Sequence, residues 1–86
     1  MLSEELNNRY ETVYRQLYLI ENRKLRQDLV TTLTVCDRIR RNISIELIRC
    51  RRLGHATTQY NELLQQFKEQ LLILEQNITF VTLLAH

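Results

Sequence analysis

The sequence predicts an all-α fold: an antiparallel coiled-coil helical bundle, of three helices or of one long hairpin turning at Gly54, that is oligomeric. Three observations carry this. The 86 residues include one Gly and no Pro, whereas a sheet protein of this length needs several tight turns, which draw on both. Apolar residues recur in steps of three and four along most of the chain, the spacing that puts side chains on one helix face. Residues suited to helix ends stand where that spacing breaks. An apolar share of 44% argues against global disorder. Residues 1–86 read as a single helical domain near the lower size limit for a self-sufficient core, which makes partner chains an expectation.

The first helix is expected over about residues 4–21. Ser3 followed by Glu4 and Glu5 is a start signal, because a hydroxyl and acids satisfy the free N–H groups and the positive end of the dipole. Leu6, Tyr10, Val13, Leu17 and Ile20 then mark one face. The register slips at Glu21-Asn22-Arg23-Lys24. This polar tetrad reads as a short loop in which Asn22 closes the first helix and the basic residues suit its C-terminal turn. The other reading is a phase shift inside one continuous helix.

The second helix is expected over about 25–53. Its stripe runs through Leu25, Leu29, Cys36, Ile39, Ile43, Cys50 and Leu53, with Thr32 and Glu46 at intervening positions. Gly54 is the strongest break, since glycine takes a positive φ without penalty just past a helix end. Thr57 or Thr58 then caps a third helix over about 58–84. Here Tyr60, Leu64, Phe67, Leu71, Leu74, Ile78, Val81 and Ala85 alternate by four and three, a coiled-coil seam by spacing. These residues, up to Val81, are the expected partner interface. Leu63, Leu72, Ile73, Phe80, Leu83 and Leu84 widen the apolar surface, so this helix is expected to touch more than one neighbour.

Cys36 and Cys50 lie 14 residues apart on one helix, about 21 Å at 1.5 Å per residue, too far for a disulfide within it. They read as buried thiols of a reducing, cytoplasmic compartment. An antiparallel homodimer centred near Ile43 would instead set Cys36 opposite Cys50 of the other chain. No secretory leader and no run long enough to span a membrane is read. The sequons at Asn42 and Asn77 are taken as chance matches, because Ile43 and Ile78 at their centres are core positions.

No phosphate loop, CxxC, HExxH or Ser/His/Asp set is present, and His55 reads as a loop residue. The expectation is a non-enzymatic chain with no cofactor and no metal. Charge segregation is more informative. Residues 23–52 hold nine basic against three acidic residues, a local +6, while residues 1–22 and 53–86 each carry −2. Arg38, Arg41, Arg49 and Arg52 project as one stripe opposite the core face, with Ile45 at its middle and Ile48 and Val30 nearby. An Arg-rimmed apolar strip is a composition of protein interfaces. The same arginines also suit phosphates, or pairing with the acidic outer helices.

Tyr10, Tyr14 and Tyr18 form a further stripe at i, i+4 spacing, a candidate second interface. Together these features point to a protein–protein interaction module: a small coiled-coil adaptor, assembly subunit or chaperone-like protein, acting as a homodimer or hetero-oligomer. The alternative is a small dimeric RNA- or DNA-binding regulator that uses the Arg-rich helix.

Overall fold

In a computed structural model, residues 2–84 are described. They form three α-helices that pack against one another: α1 (Glu4–Tyr18), α2 (Arg23–Leu53) and α3 (Thr58–Leu84). No strand occurs among the described residues. The bundle is elongated, 50 × 20 × 16 Å, its length set by α2, whose 31 residues span about 46 Å at 1.5 Å per residue. Contact is most extensive between α2 and α3, with α1 laid across both.

The helix starts follow from side chains that replace missing backbone partners. Ser3 holds extended backbone, and its hydroxyl accepts from the Leu6 N–H at 3.2 Å. Glu4 and Glu5 occupy the first turn beside it. The α1–α2 break falls two residues before the expected tetrad. α1 ends at Tyr18, with the Leu19 and Ile20 N–H groups donating to Gln16 and Leu17 carbonyls in tight i→i−3 bonds. Asn22 does not close α1. It opens α2, accepting from the Leu25 N–H at 3.1 Å with φ −68° and ψ 110°. Asn serves either end, and here its side-chain oxygen is placed to cap. Arg23 and Lys24 consequently stand in the first turn of α2, the unfavourable end of its dipole.

Gly54 ends α2 in the left-handed region, φ 76°, and its N–H donates to the Cys50 carbonyl at 2.9 Å. Thr57, of the two threonines, caps α3 by accepting from the Tyr60 N–H at 3.0 Å.

One hydrophobic cluster draws on all three helices: Leu6, Val13 and Leu17 from α1, Leu29, Cys36 and Ile43 from α2, and Phe67, Leu71, Leu74 and Ile78 from α3, among others. Tyr60, Leu63, Leu64 and Val81 pack at its margin. The α3 seam therefore packs against this chain's own α1 and α2, which corrects its assignment as a partner interface. The physical reason is direct: with three helices available, the most continuous apolar face finds its neighbours within the chain. Ala85, the last seam position, lies outside the described residues, as does His86. Leu2, which the periodicity of α1 does not include, is also buried in the cluster.

Candidate functional site

The outer face of α2 carries the charge pattern noted above. Ile45 is 67% exposed and Ile48 54% exposed, three residues apart and so on one helix face. Arg41 and Arg49 stand four residues to either side of Ile45, and Arg38 and Arg52 seven residues to either side, all exposed. The strip is thus an apolar pair with cationic positions nearly one and two turns away in both directions, about 21 Å long from Arg38 to Arg52. Val30 does not extend it. Val30 packs against the core margin instead.

Asp37 decides which of these arginines are neutralised. Its carboxylate accepts from Arg40 at 2.9 Å and from Arg41 at 2.7 Å. Among the described residues, Arg38, Arg49, Arg51 and Arg52 make no ion pair with Asp or Glu. The acidic outer helices do not compensate α2. Instead, among the described residues the one ion pair between helices joins α1 to α3: Arg9 donates from Nε to Glu75 Oε2 at 3.1 Å and from Nη2 to Oε1. That fork holds the Arg9 guanidinium above its ordinary pKa, with the hydrogen bond to Glu75 as the leading cause. Of the positive charge on α2, Arg38, Arg41, Arg49 and Arg52 stand exposed on the outer face, and among these only Arg41 has an acidic partner among the described residues.

The tyrosine stripe divides. Tyr10 is buried, so it leaves the proposed second interface. Its ring stacks at 6.1 Å from Phe67, lies under the Arg40 guanidinium at 4.4 Å, and its hydroxyl donates to Asp37 at 3.4 Å. Burial, with Asp37 second, raises its pKa. Tyr14 and Tyr18 remain exposed and stack on each other at 4.9 Å. The division follows from helix geometry, because residues four apart step about 40° round the helix and walk off the core face.

Two polar arrangements were not evident as such in the sequence. Asp37 is one. The other lies at the α2–α3 turn, where buried Glu46 accepts from the Thr57 hydroxyl at 2.8 Å and Cys50 Sγ accepts from the Thr57 N–H at 3.4 Å. The available signal was Glu46 on an apolar stripe, since a carboxylate there requires a donor. Cys36 and Cys50 are both free and buried, and burial pushes the Cys36 thiol up to about 11. His55 is exposed in the turn.

A second apolar surface lies on α3 away from its seam: Leu72, Ile73, Phe80, Leu83 and Leu84 are all exposed. At the α1–α2 loop, an open cleft of about 700 Å³ is lined by Leu19, Ile20, Leu25, Val81 and Leu84, among others. Among the described residues no three His, Cys, Asp or Glu side chains group closely enough to hold a metal ion. Among the described residues no helix is long and apolar enough to cross a membrane. No protein-family model matches the chain, and no curated protein or solved structure is significantly similar to it.

Proposed function

We propose that this chain is a non-enzymatic protein-interaction module, an adaptor, assembly subunit or chaperone-like protein, whose three helices pack as an antiparallel coiled coil. It engages an acidic partner through the outer face of α2. The observation that carries this reading is Ile45, two-thirds exposed and set symmetrically between Arg41 and Arg49 and between Arg38 and Arg52. An apolar pair at the centre with cations at the rim matches the core-and-rim composition of protein interfaces. Arginine suits it further, since its stem contacts apolar surface while its fork pairs carboxylates. The fitting partner is an amphipathic helix whose apolar residues meet Ile45 and Ile48 and whose Asp or Glu residues lie one turn away.

The same stripe suits phosphates less well. A phosphate backbone gives Ile45 and Ile48 nothing apolar to bury against, and a dedicated nucleic-acid domain has a pI above 9, whereas this chain has a pI near 8.7.

The test titrates the full chain with a synthetic helical peptide bearing two leucines flanked by glutamates. Methyl resonances of Ile45 and Ile48 should move, and Ile45→Glu should weaken binding about tenfold or more, the change of one central apolar contact. Tighter binding to a DNA duplex or single-stranded RNA than to the peptide, falling steeply with salt and indifferent to Ile45→Glu, would replace this reading with the nucleic-acid regulator.

A further inference from the structure

Apolar side chains are exposed on the outer faces of both α2 and α3, and the charges around them differ. The α2 strip is ringed by arginines, so two copies of it repel. The outer face of α3 is the opposite case. Leu72, Ile73, Phe80, Leu83 and Leu84 are exposed there, and from Gln70 to Leu84 the only charged residue is Glu75. Glu75 is engaged by Arg9 at the α1–α3 contact. This face is therefore electrically neutral as well as apolar.

From this we infer that the outer face of the C-terminal half of α3 is a homodimer interface, covered by the same face of a second copy of this chain. Three features select that occupant. A two-fold contact sets a patch against itself, so it tolerates no unpaired like charge, and this patch carries none. A membrane surface would be met by an apolar face with Lys and Arg on its flanks. Lys68 is the only Lys or Arg between Leu53 and His86, and it precedes the patch by a full turn. Glu75 aside, the nearest charged residues along α3, Lys68 and Glu69, stand about one turn before the patch, so an acidic or basic protein partner would find no counter-charge within it. The exposed side chains also suit reciprocal pairing. Leu72 and Ile73 lie near one end and Leu83 and Leu84 near the other, with Phe80 between. Eleven residues are close to three turns, so Leu72 and Leu83 share one edge of the face and Ile73 and Leu84 the other. Two such helices packed in opposite directions set Leu72 of one copy beside Leu83 of the other, and Ile73 beside Leu84, in both halves of the contact. The interior seam plays no part, so dimerisation leaves each bundle intact and keeps both α2 strips outward. The dimer would present two acidic-partner sites, although its existence does not depend on what α2 binds.

The experiment is sedimentation equilibrium of the full chain over micromolar concentrations, with Phe80→Glu and Ile73→Glu as interface variants and Arg49→Glu as the control. The wild type should sediment at twice the 10.4 kDa of one chain. Each interface variant should weaken self-association about 30-fold or more, the loss of a central anchor residue, while Arg49→Glu leaves it unchanged. Circular dichroism identifies any variant that fails to fold, and because the two positions are exposed, at least one should retain wild-type helicity. A wild type that remains monomeric throughout, or a dimer that persists in folded Phe80→Glu and Ile73→Glu, overturns the inference. A monomer that co-sediments with neutral phosphatidylcholine vesicles and loses this with Phe80→Glu also overturns it, and reassigns the face to lipid.

Discussion

Thr57 ties the end of α2 to the start of α3. Its hydroxyl caps α3 through the Tyr60 N–H and donates to buried Glu46, while its own N–H reaches Cys50 Sγ. Thr57→Val keeps the shape, removes the cap and strands a buried carboxylate. The cap alone is worth ~1 kcal/mol, and an orphaned buried acceptor adds ~1–3 kcal/mol, so a loss of about 2–4 kcal/mol in urea unfolding is expected. Thr57→Ser should retain most of the stability. Gly54 gives a smaller, cleaner effect. A Cβ there meets nothing within 4 Å, so Gly54→Ala should cost about 1–2 kcal/mol from the left-handed backbone alone.

Two buried acids set the response to alkaline pH. Burial holds the Cys36 thiol at about 11, above its ordinary value of 9.0, and also raises Tyr10. Over that range the unfolded chain releases protons that the folded chain retains, so the folded state binds more protons and stability falls as pH rises. Urea midpoints should be flat with respect to Cys36 below pH 9 and decline from pH 9 towards 11. Cys36→Ala should flatten part of that decline.

Among the elements, α1 is attached least extensively, and its contact to α3 includes the Arg9–Glu75 fork. Both side chains are about a third exposed, so solvent screens the pair despite its bidentate geometry. A double-mutant cycle with Arg9→Ala and Glu75→Ala should return a coupling of about 0.5–1 kcal/mol. The apolar anchor matters more. Phe67 is fully buried where all three helices meet, and Phe67→Ala should cost about 3–5 kcal/mol.

The elements also show how far the residues themselves were legible. Ser3, Gly54 and Thr57 act as their chemistry suggested, because a cap depends on the few residues beside it. Asn22 was misplaced, since asparagine suits either helix end and only the chain's path past Ile20 decides which. The seam from Tyr60 to Val81 was legible as an apolar face, but not which helices would cover it. Tyr10 joined the core and Tyr18 did not, a difference of two 40° steps that spacing alone leaves open.

For the whole molecule, charge is unevenly distributed, with +6 in residues 23–52 and −2 on either side. Arg38 and Arg41, three residues apart, are like charges on one helix face, an arrangement that destabilises by a few tenths of a kcal/mol. Arg38→Glu should therefore hold or raise stability, by about 0.2–0.5 kcal/mol, in thermal unfolding. The same change should weaken binding to the acidic peptide. Opposite movements of stability and binding are expected where a charged surface serves recognition rather than folding.

The sequence by itself determined that the chain is helical, where two of its three capped starts and its left-handed turn lie, and which residues are apolar on which face. These are local properties, readable from neighbours three or four positions away. Only the tertiary structure decided which faces are covered. A helix in a three-helix bundle has two neighbours, and α3 carries more apolar surface than two neighbours reach. Phe67 and Leu74 were enclosed and Phe80 and Leu83 were left outside because burial is a property of the packed assembly, which periodicity along one helix does not contain.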